Sequence, residues 1–288
     1  MYVITGITGQ VGGALANALL DQGQRVRAVV RDEKKGALWA SRGCDVALAD
    51  MTDADALARA FEGAQGVFLL PPPEFDPAPG FPEARKVNDA IVAAVTRAKP
   101  RKIVCLSTIG AQATENNLLT QRTLLEDALR KQTIPVTFLR PGWFMENCAW
   151  DVDSARNEGM VRSFLQPLDR AIPMIATEDI GELAANLLQQ DWSGARFVEL
   201  EGPRRTSPND IAAAFSEVLG KPVRAQAVPR DTWEPLFVSQ GMRHPMPRIR
   251  MLDGFNEGWI DFDGRREEIV KGKTPLVDVI RKLVARRT

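Results

Sequence analysis

Over its first 140 residues the chain alternates between two hydrophobic periods. Short runs that are apolar almost throughout predict strands at 2–5, 26–30, 45–49, 66–70, 102–106 and 134–139. Between the first two, Val11, Ala14, Leu15, Ala18 and Leu19 recur at i, i+3, i+4, i+7 and i+8. That spacing is one face of a helix. Gly23 lies just beyond it, where a left-handed cap is wanted. Residues 33–41, 54–61 and 118–130 predict further helices, as do Val87, Ile91 and Val95. Strands that alternate with helices form βαβ units. Strands apolar on both faces belong to a parallel sheet covered on both sides. Right-handed crossovers wind such units into a doubly wound sheet.

After Arg140 the rhythm loosens. Residues 177–189 predict a helix with Ile180, Leu183, Ala184, Leu187 and Leu188 on one face and acids Glu178 and Asp179 near its start,. Residues 197–200 and 223–228 predict strands. Ser207-Pro208-Asn209-Asp210 is a cap-then-proline helix start, and that helix ends before Gly220,. Thr274-Pro275 repeats the signal for a last helix through Val284. The fold expected is α/β: a Rossmann-type doubly wound parallel sheet with a smaller, mainly helical C-terminal lobe. The boundary falls near residue 150, with further sheet elements to about 200. Residues 151–288 make the smaller lobe, partly discontinuous.

Residues 5–12 read Thr5-Gly6-Ile7-Thr8-Gly9-Gln10-Val11-Gly12, a G-x-x-G-x-x-G between the first strand and the first helix. This is the setting of a dinucleotide-phosphate turn. Gly6 permits the turn, Gly9 clears a side chain from the path of a pyrophosphate, and Gly12 lets helix and strand pack closely. The N–H groups near Gln10 and Val11 then point at phosphate oxygens. The second strand ends in Arg31-Asp32-Glu33-Lys34-Lys35. Arg31 there pairs with a 2′-phosphate, so NADP(H) is expected over NAD(H), with Asp32 left as a rival ribose contact. The third, fourth and fifth strands end in Asp50-Met51, Leu70-Pro71 and Ser107-Thr108. These are the carboxyl ends at which open α/β sheets bind ligands.

Composition removes alternatives. Of 288 residues 37 are basic and 37 acidic, so no net field draws nucleic acid or a membrane surface,. The single histidine, His244, excludes a multi-histidine metal site and leaves a serine triad without a plausible base,. Cys44, Cys105 and Cys148 form no C-x-x-C pair. They read as reduced thiols of a cytoplasmic protein, and no metal is assigned. No apolar stretch reaches eighteen residues and no targeting segment is visible,. The one tyrosine is Tyr2.

Four segments together resemble the NmrA-like group of atypical short-chain dehydrogenase/reductases. They are the glycine turn at 5–12, Val29-Val30-Arg31-Asp32, Ala49-Asp50, and the run Leu-Arg-Pro-Gly-Trp-Phe-Met-Glu-Asn at 139–147. The resemblance implies an NADP(H) site at Gly6, Thr8, Gly9, Gln10, Val11, Arg31, Asp50, Met51, Leu70 and Pro71. It further implies that residues 141–147 lie by the nicotinamide and the substrate. Standard members of the superfamily donate a proton from a Tyr-x-x-x-Lys pair, which this composition excludes. Relatives carry a Lys or His four residues before a Glu that looks like Glu126. Here that position is Arg122, a cation that holds a ribose, phosphate or oxygen but donates no proton. The competing reading of Arg122 is an exposed helix cation.

The expected activity is hydride transfer from NADPH to a small conjugated acceptor such as a quinone. Such an acceptor needs little proton donation from a side chain. Ser107, Thr108, Trp143, Phe144 and Asn147 are the expected pocket residues, with Met145 and Trp150 as further walls. The alternative is a non-catalytic NADP(H) sensor that acts through a protein partner. A homodimer is left open.

Overall fold

The computed structural model describes residues 1–264 and 269–286. Strands and helices alternate through the first part of the chain: β1 (Tyr2–Ile4), α1 (Gln10–Asp21), β2 (Val26–Val30), α2 (Glu33–Ser41), β3 (Asp45–Leu48), α3 (Ala54–Phe61), β4 (Gly66–Leu69), α4 (Pro82–Ala98), β5 (Ile103–Leu106), α5 (Thr120–Leu129) and β6 (Val136–Pro141). There follow β7 (Trp143–Phe144), a 3₁₀ turn (Met145–Trp150), α6 (Val152–Glu158), β8 (Met160–Ser163), β9 (Met174–Ile175), α7 (Thr177–Gln189), β10 (Ala195–Glu201) and α8 (Pro208–Leu219). The chain continues through β11 (Arg224–Ala227), a short 3₁₀ turn (Arg230–Thr232), α9 (Trp233–Ser239), α10 (Met246–Glu257), β12 (Ile269–Lys271) and α11 (Leu276–Arg286).

The central sheet has eight strands in the order β12-β10-β6-β5-β4-β1-β2-β3. β1 pairs in parallel with β2 and with β4, so the chain reverses its direction of travel across the sheet at β1. The expected doubly wound parallel architecture is present.

Two compact units are distinguished. One comprises Met1–Thr108, Gln121–Arg140 and Glu178–Val198; the other comprises Ile109–Thr120, Pro141–Thr177 and Glu199–Thr288. In the first, α3 shows how sequence becomes packing. Asp53 accepts the amides of Asp55 and Ala56 and starts the helix, and Ala56, Leu57, Ala60 and Phe61 form its buried stripe. That stripe joins Val67, Leu69, Ile91, Val95, Ile103 and Phe138 in one core. Fully burying each large side chain stabilises by about 1.5–3 kcal/mol relative to exposure.

The second unit has its own core around Phe215, Trp233, Phe237, Phe255 and Ile280. Ser207 caps α8 as its sequence predicts, and the cap is reciprocal: Ser207 accepts from the Asp210 amide and Asp210 accepts from the Ser207 amide. This unit also contains two small parallel sheets, β7–β9 and β8–β11, of which only β11 carries a sequence signal. Strands of two to four residues are too short to show a period.

Candidate functional site

The glycine turn leaves β1 in a geometry its residues require. Thr5 is fully buried; its hydroxyl donates to the Phe68 carbonyl at 3.1 Å and accepts the Leu70 amide at 2.8 Å. These bonds fix the ends of β1 and β4 side by side. Gly6 turns the chain at φ +65°, and a Cβ on Gly12 would lie 2.3 Å from the Gly6 carbonyl oxygen. Both partners there are backbone, so no side chain fits at Gly12. A Cβ on Gly9 would sit 3.3 Å from the same oxygen. Thr8, Gly9 and Gln10 are exposed, whereas Ile7, Val11 and Gly12 are buried. α1 starts at Gln10 with Gly9 as its N-cap and no side-chain cap. The next two helices are instead closed by Asp32 and Asp53. A helix start left uncapped behind a Cβ-free turn is a cradle for an anion.

Beside this turn, Asp32 accepts the Lys35 amide at 3.0 Å as the N-cap of α2. The acid that rivalled Arg31 for a ribose is thus occupied by its own helix, and Arg31 stands exposed next to it. Asp50 is exposed and accepts from the Thr52 amide and hydroxyl at 2.9 and 2.7 Å. Those bonds, and the charges of Arg31 and Lys86, hold its carboxyl below the usual carboxylate range. Met51 is 9% exposed and packs into the core, so only its backbone faces outward chemistry.

At the ends of β4 and β5 the chain is cross-tied. Pro71 is buried and Leu70 half-buried. Arg122 is half-buried on α5, and its Nη2 donates to the Pro71 carbonyl at 3.0 Å. The exposed-cation reading of Arg122 is therefore corrected. Burial lowers its pKa from the ordinary arginine value. The neighbouring Gln121 donates from Nε2 to the Glu74 carbonyl at 2.8 Å, so two successive α5 residues hold the proline-rich loop. Ser107 is 6% exposed and its hydroxyl donates to Glu126, while Thr108 is half-buried. Glu126 also receives Arg140 through both Nε, at 2.9 Å, and Nη2. The Arg140 guanidinium lies 4.4 Å over the Phe197 ring. This buried Ser107–Glu126–Arg140 set joins the end of β5, α5 and the end of β6. The Cys105 thiol beneath it is pushed up to about 12 by burial.

Sequence reasoning overlooked one residue here. Asn88 on α4 is 6% exposed, and its Nδ2 has no hydrogen-bond partner. The available signal was an amide placed among the buried positions Val87, Ile91 and Val95 of that helix.

In the second unit, Gly142 opens the run after β6. A Cβ there would lie 2.6 Å from the Pro173 carbonyl oxygen, and the Gly142 amide donates to the Leu200 carbonyl at 2.8 Å. Trp143 is half-buried and meets Phe255 edge-on, with centroids 5.2 Å apart. Phe144 and Asn147 are also half-buried, Met145 is buried, and Trp150 is 65% exposed. In a 3₁₀ turn residues three apart share a face, so Met145 and Cys148 stack on the buried side, and Asp151, half-buried, follows just beyond the turn. Glu146 accepts from the Thr177 amide at 2.9 Å and from its hydroxyl at 2.7 Å. The Asp151 carboxylate makes no hydrogen bond or ion pair among the described residues, and burial pushes it up to about 7. His244 is half-buried in the loop between α9 and α10. No cluster of three metal-ligating side chains occurs among the described residues. None of the described helices is long and apolar enough to cross a membrane.

Fold and cradle together define a Rossmann-type α/β protein with an anion-binding turn after its first strand. The NmrA-like family model matches residues 2–259, and the chain belongs to that family. It is 26% identical to NAD(P)H azoreductase of Xenophilus azovorans over 245 residues, covering 84% of this chain and 82% of that protein. It is 27% identical to quinone oxidoreductase 2 of Escherichia coli over 228 residues, covering 78% and 77%. The Citrobacter triphenylmethane reductase complexed with NADP(H) superposes with a TM-score of 0.79 at 20% identity, over 98% of this chain and 99% of that one.

Proposed function

We propose that this protein is an NADPH-dependent reductase of small conjugated acceptors such as quinones, working without a tyrosine proton donor. The observation that carries the reading is the Cβ-free turn before the uncapped start of α1, in a member of the NmrA-like family. The residues present fit the dinucleotide. Gly6, Thr8, Gly9, Gln10 and Val11 receive the pyrophosphate through backbone amides. Arg31 pairs with the 2′-phosphate, which Asp32 cannot oppose while it caps α2. Asp50 and Met51 bound the adenine position, and Leu70, Pro71 and Arg122 carry the cradle on toward the reacting end. When bound, the reduced nicotinamide supplies a hydride.

The named acceptors of the relatives, an azo compound and a quinone, are conjugated and electron-poor. That chemistry suits a chain whose single tyrosine is Tyr2, buried in the first strand. Such acceptors take their proton from water, so the protein contributes proximity and exclusion of solvent. Trp143, Phe144 and Asn147 contact the acceptor. The test is oxidation of NADPH by the purified protein against a panel of quinones and azo dyes. Turnover with at least one acceptor is expected. Tight NADPH binding with no turnover on any acceptor would replace this reading with a binding-only sensor.

A further inference from the structure

β3 is an edge of the central sheet, paired with β2 on one side only. Just after it, the Ala49 amide donates to the Val30 carbonyl at 3.0 Å. Along a strand, alternate residues aim their backbone groups at opposite neighbours. Ala47 therefore also turns toward β2, and Val46 and Leu48 turn their amides and carbonyls outward. Their side chains are uncovered as well, Val46 at 38% and Leu48 at 47% exposure. Val46 stands on the α2 face, because a Cβ on Gly36 would lie 2.8 Å from its Cγ1. Leu48, two residues on, shares that face. Asp45 and Ala47 take the other face, beside an open groove of about 540 Å³ that Ala56, Arg59 and Ala60 of α3 border.

Edge strands are ordinarily blunted by lysine, proline, a bulge or a covering segment. β3 reads Asp45-Val46-Ala47-Leu48 and holds neither lysine nor proline. Its one charge is met within the same chain, where Asp45 lies 3.7 Å from Arg25 and 3.9 Å from Arg27. Such an edge fits a strand that runs the opposite way and carries two apolar side chains at the same spacing. β3 is itself that strand.

We infer that β3 is a dimerisation edge, at which two copies of this chain join into one continuous sheet about a two-fold axis through Ala47. That axis sets Val46 opposite the partner's Leu48, and Leu48 opposite the partner's Val46. These are the residues whose backbone groups point outward, so each pair exchanges both of its hydrogen bonds. Each pair also adds an apolar cross-strand contact on the α2 face. Ala47 meets the partner's Ala47 as the closely spaced pair without hydrogen bonds, where a methyl group fits. The flanking charges agree with this direction. Exposed Arg42 leads into β3 and exposed Asp50 follows it. Antiparallel pairing brings Arg42 toward the partner's Asp50 in two symmetric places, and the isologous contact closes at two copies.

The test is sedimentation equilibrium of the full-length protein at micromolar concentration, where twice the 31.7 kDa of one chain is expected. Val46→Pro removes an outward amide and leaves the β2 pairing intact. Leu48→Glu puts a charge into each cross-strand pair at an exposed position. Each should weaken the dimer about tenfold or more, and melting curves check that the variants are folded. Leu48→Glu keeps the test open if Val46→Pro does not fold. The register is read by cross-linking. The native cysteines are all buried. The axis places the two copies of position 47 about 4.5 Å apart, within disulfide range. Under oxidised glutathione Ala47→Cys should therefore give a reducible covalent dimer, and Asp45→Cys, offset from the axis, should not. A monomeric wild type overturns the inference. So does a dimer that folded Val46→Pro and Leu48→Glu leave unchanged, or one that Ala47→Cys fails to cross-link.

Discussion

Asp151 makes the stability of the second unit depend on pH. Its carboxyl is pushed up to about 7 by burial alone, from an ordinary value of 3.8, beside the buried Cys148 and Val152. Each pH unit between folded and unfolded values is worth 1.36 kcal/mol, so the full effect is about 4 kcal/mol. For an acid whose folded pKa is raised, the folded chain holds a proton the unfolded chain has released. The stabilising contribution is complete below the unfolded value and is lost as pH rises through the folded one. The window is therefore roughly pH 4 to pH 7. Asp151→Asn keeps the shape and never ionises. Urea unfolding followed by tryptophan fluorescence, run on both proteins at pH 5, 6, 7 and 8, isolates the residue because other titrating groups cancel in the difference. The wild type should lose stability relative to the variant by more than 1 kcal/mol per pH unit up to pH 7, then run parallel to it. Parallel curves across the whole range would refute the reasoning.

Neighbouring glycines of α1 should respond with opposite signs. Gly12→Ala meets the Gly6 backbone at 2.3 Å and should cost more than 2 kcal/mol and abolish NADPH binding, whereas Gly13→Ala meets the Ile7 oxygen at 3.5 Å and the Trp39 ring at 3.9 Å, both ordinary contacts, and should stabilise by about 0.5–1 kcal/mol,. Thermal melts with and without NADPH separate the two. Glu126→Gln removes the carboxylate charge that the buried Arg140 meets through two hydrogen bonds and should cost about 3–5 kcal/mol in urea unfolding,. Lys99 is exposed in the left-handed region at φ 46° where it ends α4, and Lys99→Gly should raise stability by up to about 1 kcal/mol on the same assay,.

The strand-helix alternation was legible because β1 to β6 are covered on both faces and their helices carry long apolar stripes. The bounds of β2, α2 and α3 coincide with the sequence reading. The glycine turn was legible for the same reason it works: backbone approach tolerates no Cβ at Gly12, and that demand shows as a letter in the chain. The second unit was far less legible. β7 and β9 have two residues each, and α9 and α10 follow no periodic apolar stripe. Partnership was also hidden. Asp32 and Arg31 look equally available in sequence, and only the helix cap at Lys35 separates them. Arg122 and Glu126 look like an ordinary helical pair until Arg140, fourteen residues beyond Glu126, takes the acid away.

The proposed function requires the glycine turn and Arg31 to select NADPH over NADH. The direct measurement is the dissociation constants of NADPH and NADH for the wild type and for Arg31→Ser, by calorimetry, alongside quinone-dependent oxidation of each cofactor. A charge-assisted pair with the 2′-phosphate is worth about 1.5–3 kcal/mol, roughly a ten- to hundredfold preference for NADPH. The wild type is expected to show that preference and Arg31→Ser to lose it with NADH affinity unchanged, with quinone turnover in both. Equal affinity of the wild type for the two cofactors, or no binding of either, would contradict it.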